Sequence, residues 1–379
     1  MRVCPLSSVK SRIVLGAPLP FSVHGADSRL LLARGQVIAD DEQLNELFSR
    51  GALVCADELA AASQAANAAS QIASAPPERL PRLWESSTED VQRALKSPPA
   101  KVASAVGSAA SLLMSLIDRA PEVALAQVVR QPVDTGAHYG VTHSISTATA
   151  CLAVVRTLGW NADEQQRAFQ AALTMNIAML DLQARLAGQA SPLTSSQRQA
   201  IREHPTRGAE MLAEAGIGDP LWLAAVAQHH EAPDGSGYPG GVTEISELAQ
   251  LLRCADVYTA LLSTRASRPA MGAREAGREV YQMAADSPYC AALIKSFGIF
   301  PPGSCVKLAS GELGVVARNG EKAYHPRVAA LTTADGSTRL SPLMRDSARA
   351  EHAVVALLPE KAMPMRLTPE KLAALIAAA

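Results

Sequence analysis

The chain has 379 residues, 48% of them hydrophobic, 19% charged and only 4% aromatic, with a formal net charge of −1. That length suffices for two or three domains with a sizeable core, and the alanine- and leucine-rich composition excludes a disordered tail and points to a mostly helical protein. A pI near 6.7 excludes a global field that would recruit nucleic acid or an anionic membrane, so an anionic ligand must be held by local groups.

The first residues, MRVCPLSSVKSRIVLGAPLPFSV, lack the apolar core of a signal peptide because Gly16, Pro18 and Pro20 break it. Residues 1–57 read as a small α/β module. IVLGAPLPFSVHG and RLLLARGQVIA are predicted strands around a turn at Gly25–Ser28, and DDEQLNELFSRG is a predicted helix with Gly51 past its end. Residues 58–95 are rich in Ala, Ser, Gln and Pro and read as a linker, helical in its early part and broken at Pro76 and Pro77.

Residues 96–300 carry a helical pattern. Asn161 with Glu164, and Thr194 with Gln197, are predicted capping boxes, the second helix ending at Pro205. Asp219 is a predicted cap before Pro220, and Ser246 caps SELAQLLRCADVYTALLS. Residues 301–358 alternate and turn at glycines, as a small β appendage does, and residues 359–379 end in a helical tail capped by Thr368. No run reaches the roughly 18 apolar residues of a membrane helix. The cysteines (Cys4, Cys55, Cys151, Cys254, Cys290, Cys305) form no CxxC pair and read as reduced thiols, so a cytoplasmic protein is expected.

The stretch from Gln228 to Gly241, QHHEAPDGSGYPGG, holds the most specific chemistry. Adjacent helical residues point about 100° apart, so His229 and His230 suit a helix end, where both can face one cavity. An isolated pair is more often solvated or capping. Followed by Glu231, Asp234 and DGSGYP, it becomes a signature.

That signature resembles the HD-GYP family, and the likeness extends over most of residues 135–330. The resemblance implies a mainly α, HD-domain-like helical bundle, flanked here by the small N-terminal module and the small C-terminal β appendage. It implies a bacterial, metal-dependent phosphodiesterase that opens cyclic di-GMP with several iron or manganese ions. Metal ligands are then expected at His143 in YGVTHSIS, His204 in REHPTRGAEML, His229, His230, and Asp256 in LLRCADVYTALL. Gly237, Tyr238 and Pro239 form the expected ligand loop, and Arg265 and Arg268 map onto phosphate contacts. Taken alone, each has a plainer reading: His143 as a helix cap, His204 as a helix-terminal residue, the arginines as surface charge, the loop as a fold feature. Asp256 is harder to dismiss, because a carboxylate in an apolar helix needs a partner such as His143 or the histidine pair.

The family's name-giving segment, His-Asp-x-Gly-Lys, is absent. Met175, Asn176, Ala178 and Met179 stand at those positions, in the run TMNIAML. The lost Asp would bridge two ions. Two dications about 3.7 Å apart repel by about 18 kcal/mol at an effective dielectric of about 20, and Asn176 offers no charge against that. Met175 and Met179, spaced i and i+4, are expected to share a helix face and fill core space; soft ligation of Cu(I) is the rarer alternative. Asp181 lies about 140° round from Asn176 and is discounted. His143 and Asp256 are too sparse for tight metal binding, whereas three imidazoles at His204, His229 and His230 suffice for one ion.

Three readings follow. The first is a degenerate HD-GYP protein that binds cyclic di-GMP or a protein partner. The second is a working phosphodiesterase with a mononuclear site, and the third a metal-free interaction scaffold like the related HDOD domains. One divalent ion (iron, manganese or zinc) or none is expected, with no nucleic acid and no membrane.

Overall fold

The computed structural model describes residues 2–130, 139–284 and 287–379. The chain divides into two compact units, Met1–Ser74 and Ala75–Ala379.

The first unit is a four-stranded antiparallel sheet of order β1-β4-β2-β3, built from β1 (Val3–Pro5), β2 (Val23–His24), β3 (Leu30–Leu32) and β4 (Leu53–Cys55). Its helices are α1 (Asp41–Ser49), capped by Asp40, and α2 (Ala56–Ser74). The turn falls where expected: Ser28 N donates to Gly25 O and Gly25 N to Arg29 O, at 2.9 and 2.8 Å. The strands are shorter than predicted. Only Val23–His24 of the first predicted run is strand, and β1 was not anticipated, because three-residue strands show no readable alternation. Leu6, Phe21, Val23, Ile38 and Val54 form this unit's core.

The stretch expected as a linker is mostly helical, and the division between the two units falls within it, after Ser74. Residues 58–95 lie mostly in α2 and in α3 (Leu80–Leu95), separated only by Ala75, Pro76 and a tight turn at Pro77–Arg79. The alanines that look featureless in sequence are strong helix formers, and the two prolines end one helix and start the next. α3 buries Leu80, Val91 and Leu95 and belongs to the second unit.

The second unit is the helical bundle. It continues with α4 (Pro99–Arg119), α5 (Pro121–Val129), α6 (Tyr139–Thr157), α7 (Ala162–Thr174), α8 (Leu180–Ala187), α9 (Ser195–Glu214), α10 (Pro220–Gln228), α11 (Glu247–Leu262), α12 (Ala273–Met283) and α13 (Pro288–Phe297). α6 is buried nearly all round, as the central helix of a bundle must be, and packs against α7, α8, α11 and α13. The capping boxes of α7 and α9 form as predicted, and so do the Asp219, Ser246 and Thr368 caps.

Pro205 does not end α9, which runs on to Glu214. A second correction concerns α4. It is long and apolar enough to cross a membrane, with a mean hydropathy of 1.5 over its best window, 39% of which is buried. Alanine, which strict counting of large apolar residues passes over, raises that average.

The appendage is a five-stranded antiparallel sheet of order β8-β7-β6-β5-β9, comprising β5 (Cys305–Leu308), β6 (Leu313–Arg318), β7 (Arg327–Thr332), β8 (Thr338–Asp346) and β9 (Val354–Leu358). The tail helix α14 (Pro369–Ala377) buries Leu372, Ala373 and Ile376 and packs on α3, α5 and β6, so it is part of this unit.

Candidate metal centre

Two groups of polar side chains meet at one cavity. The first joins α6 to α11. His143 Nε2 lies 2.7 Å from Asp256 Oδ1, and one turn on, Thr147 Oγ1 lies 2.9 Å from Thr259 Oγ1. These paired contacts lock the register of the two helices. Burial is the largest single influence and would raise the Asp256 carboxyl, but the His143 hydrogen bond together with the charge interactions with His143, His230 and His229 outweighs it and holds the group well below the usual carboxylate range. Tyr139, one turn before His143, stacks parallel to its ring at 5.9 Å. His143 Nδ1 is buried with no hydrogen-bond partner.

The second group brings α9 to the end of α10. Pro205 has no N–H, so the carbonyl of Ile201 loses its helical donor. His204 Nδ1 takes that place at 2.6 Å from Ile201 O. His229 follows the last residue of α10, where carbonyls lack helical partners, and its Nδ1 lies 2.7 Å from Val226 O. A carbonyl only accepts, so both rings carry their proton on Nδ1 and present a bare Nε2 lone pair. Those two Nε2 atoms are 3.2 Å apart. Two lone pairs face each other, an arrangement that a cation between them relieves.

His230 completes the group. The ligand atoms of His204, His229 and His230 all lie within 4.8 Å of one another. Burial, then the neighbouring imidazoles, pushes His204 and His229 down to about 4 and His230 to about 3. All three rings are therefore uncharged at neutral pH and compete with no proton for a metal. Two imidazole nitrogens on one tetrahedral ion sit about 3.4 Å apart, given bonds of about 2.0–2.1 Å. The residues fit one such ion.

The loop after the histidines is built by Glu231, a buried carboxylate that accepts from Gly240 N at 2.7 Å and Val242 N at 3.2 Å. A Cβ on Gly237 would lie 2.4 Å from Ala232 N and 2.5 Å from Glu231 Cα, so only glycine fits there. Tyr238 stacks on His230, with ring centroids 4.6 Å apart.

The cavity has a volume of about 650 Å³, in the range of small-molecule sites. His143, His204, His230, Asp256, Asn176, Met179, Tyr238, Arg265 and Arg268 all line it. Gly237 and Pro239, expected as ligand contacts, are not among the lining residues and shape the loop instead. Arg265 Nε donates to Tyr139 OH at 2.9 Å. Arg268 spends its guanidinium on the carbonyls of Ala260, Leu261 and Pro269, at 2.7, 3.2 and 3.3 Å, closing the end of α11.

The methionines do not share a helix face. α7 ends at Thr174, Asn176 leaves helical geometry (φ −104°, ψ 15°), and a tight turn at Ile177–Met179 precedes α8. Met175 is fully buried while Met179 lines the cavity, because the i, i+4 rule holds only for an unbroken helix. Asp181 pairs with Lys96 at the surface, at 2.8 Å. Sequence reasoning missed Tyr139 and Gln183, which both line the cavity. Tyr139 was findable four residues before His143. Gln183 carries no such signal.

Residues 112–293 match the family model described as HD domain. Over 232 residues the chain is 31% identical to a cyclic di-GMP phosphodiesterase of Pseudomonas aeruginosa, covering 60% of this chain and 56% of that protein. Over 155 residues it is 26% identical to a 3'3'-cGAMP-specific phosphodiesterase of Vibrio cholerae, covering 40% of this chain and 36% of that protein. The chain thus spans about half, or less, of the length of these relatives. An HDGYP protein from Bdellovibrio bacteriovorus aligns in structure with a TM-score of 0.44 and 14% identity, over 78% of this chain and 98% of that one. The second unit is a helical bundle. Over residues 112–293 the chain is thus similar to HD domains, and the relatives it matches are phosphodiesterases of cyclic dinucleotides.

Proposed function

We propose that this protein is a cyclic di-GMP signalling protein that binds its nucleotide without turning it over, and passes the bound state to a protein partner in the cytoplasm. One observation carries the reading: Asn176, not a carboxylate, lines the same cavity as His143, Asp256, His204 and His230, and Met179 lines it too. A pair of cations there would have neither a shared anion nor the basic side chain that the family's pattern places at position 179. Asp256 is moreover engaged by His143. His204, His229 and His230 would hold a single ion. Such an ion supplies a Lewis acid toward a phosphoryl oxygen and acidifies a water. The chain's own part is to hold three neutral imidazoles and to place Arg265 at the cavity wall against Tyr139. Kinship to phosphodiesterases of cyclic di-GMP and cGAMP supports the ligand class.

Metal analysis, calorimetry with cyclic di-GMP and a turnover assay with added Mn²⁺ or Fe²⁺ test the proposal together. At most one equivalent of metal, measurable nucleotide binding and no turnover are expected. The three-histidine group favours a second reading, a mononuclear phosphodiesterase. Turnover that disappears in His230→Ala would establish that reading. Protein that binds neither metal nor nucleotide would leave the scaffold reading.

A further inference from the structure

Two cysteines that are 36 residues apart in the chain meet in the bundle: Cys254 on α11 and Cys290 on α13 have Sγ atoms 2.6 Å apart. Unbonded heavy atoms rest at about 3.5–4.0 Å, and a disulfide closes at about 2.0 Å. The two sulfurs are thus inside ordinary contact and a small displacement from bonding. Among the described residues no other pair of cysteines shows such a contact.

The two differ in access. Cys254 lines a second cavity of about 660 Å³, with Asp234, Ser236, Arg253 and Ser287. Cys290 is fully buried behind it. This cavity lies on the other side of α11 from the metal centre, since residues two apart on a helix point about 200° from each other and Asp256 faces the first cavity. The thiol pair is therefore separate chemistry from the histidine site.

We propose that Cys254 and Cys290 are a redox pair that reduces hydrogen peroxide and closes to a disulfide tying α11 to α13. Cys254 meets the oxidant. Its sulfur attacks one peroxide oxygen, the O–O bond breaks, and the other oxygen leaves as water with the thiol proton, giving a sulfenic acid. The Cys290 sulfur then attacks that sulfur, the S–O bond breaks, and hydroxide leaves as water with the Cys290 proton. Two thiols lose two electrons and two protons, and the peroxide becomes two waters. Both thiols are buried, Cys254 at the cavity wall and Cys290 in contact behind it, so a sulfenic acid formed on one sulfur has the other within reach to resolve it. α13 also packs on α6, so the bond would tie together the helices that carry His143 and Asp256.

The test uses the full wild-type chain, treated with a small excess of hydrogen peroxide, alkylated and digested without reductant. The expected result is one linked pair of peptides carrying Cys254 and Cys290, lighter by two hydrogens than the free peptides, with the other four of the six thiols still alkylated. Dithiothreitol is expected to restore all six. In Cys290→Ser, dimedone is expected to label Cys254, and in Cys254→Ser the thiol of Cys290 is expected to stay unreacted. Six free thiols after treatment, a different cysteine pair, or Cys254 driven to the sulfinic acid with Cys290 still free would each overturn the proposal. The wild-type peptide map decides the matter even if a variant fails to fold.

Discussion

His204 and His229 point their Nε2 atoms at each other across 3.2 Å while each Nδ1 is tied to a backbone carbonyl. Burial keeps both rings near pKa 4, below the ordinary imidazole value of 6.5. In metal-free protein the unfolded chain therefore takes up protons first as the pH falls. Stability is full above about 6.5 and is lost between there and about 4, by on the order of 3 kcal/mol for each of the two rings. Urea unfolding of the metal-free protein at pH 7 and pH 5 measures this. Zn²⁺ affinity, in contrast, should change little over the same interval, because the ligands stay unprotonated. A tenfold loss of affinity by pH 5 would show that the rings titrate normally.

Pro205 serves the three-histidine group by withholding a donor. In Pro205→Ala the new N–H competes for Ile201 O, and His204 loses the bond that orients it. The helix is expected to be as stable as before or more so, since proline disfavours helix interiors by about 3 kcal/mol. Metal affinity is expected to fall by roughly tenfold to a hundredfold, as when other orienting bonds of ligand histidines are removed. Melting and metal titration of the same variant should thus move in opposite directions.

Restoring Met175→His, Asn176→Asp and Met179→Lys together returns the missing bridge and cationic clamp. The expected outcome is a rise from one bound ion per chain to two, read by elemental analysis. A ratio that stays at one would mean that the break after Thr174 holds these side chains away from the ions.

In the appendage, Glu312 is nearly buried and accepts from Arg345 and Arg339, both at 2.7 Å, and from Ser310 at 2.8 Å. The Arg345 hydrogen bond, against the cost of burial and helped by Ser310 and Arg339, brings its carboxyl down to about 2. The folded value is below the unfolded one, so this stability is present above about pH 4.5 and is lost as pH falls toward about 2. Glu312→Gln is expected to destabilise the fold by about 3 kcal/mol at pH 7 by leaving two arginines short of their anion, and to have a smaller effect at pH 3. Equal losses at both pH values would rule out the charge as the cause.

Much of this could be read from the chain alone. Local chemistry writes itself into local sequence: the capping boxes at Asn161 and Thr194, the Asp219–Pro220 start and the histidines at a helix end each depend on residues within a turn of one another. The string from His229 to Pro239 carries the resemblance for the same reason, and reading Met175 and Asn176 at the His-Asp positions needs only register. Where residues meet across the bundle, sequence is silent. Nothing in the spacing of Cys254 and Cys290 or of Glu312 and Arg345 marks them as neighbours, and Pro205 read as a stop because its consequence, a freed carbonyl for His204, exists only once the helix packs on α10. The broken helix after Thr174 likewise turned two equivalent methionines into one core residue and one cavity residue. Sequence determined which groups are available. Packing decided which of them face one another, because burial and opposing lone pairs are properties of pairs brought together by folding.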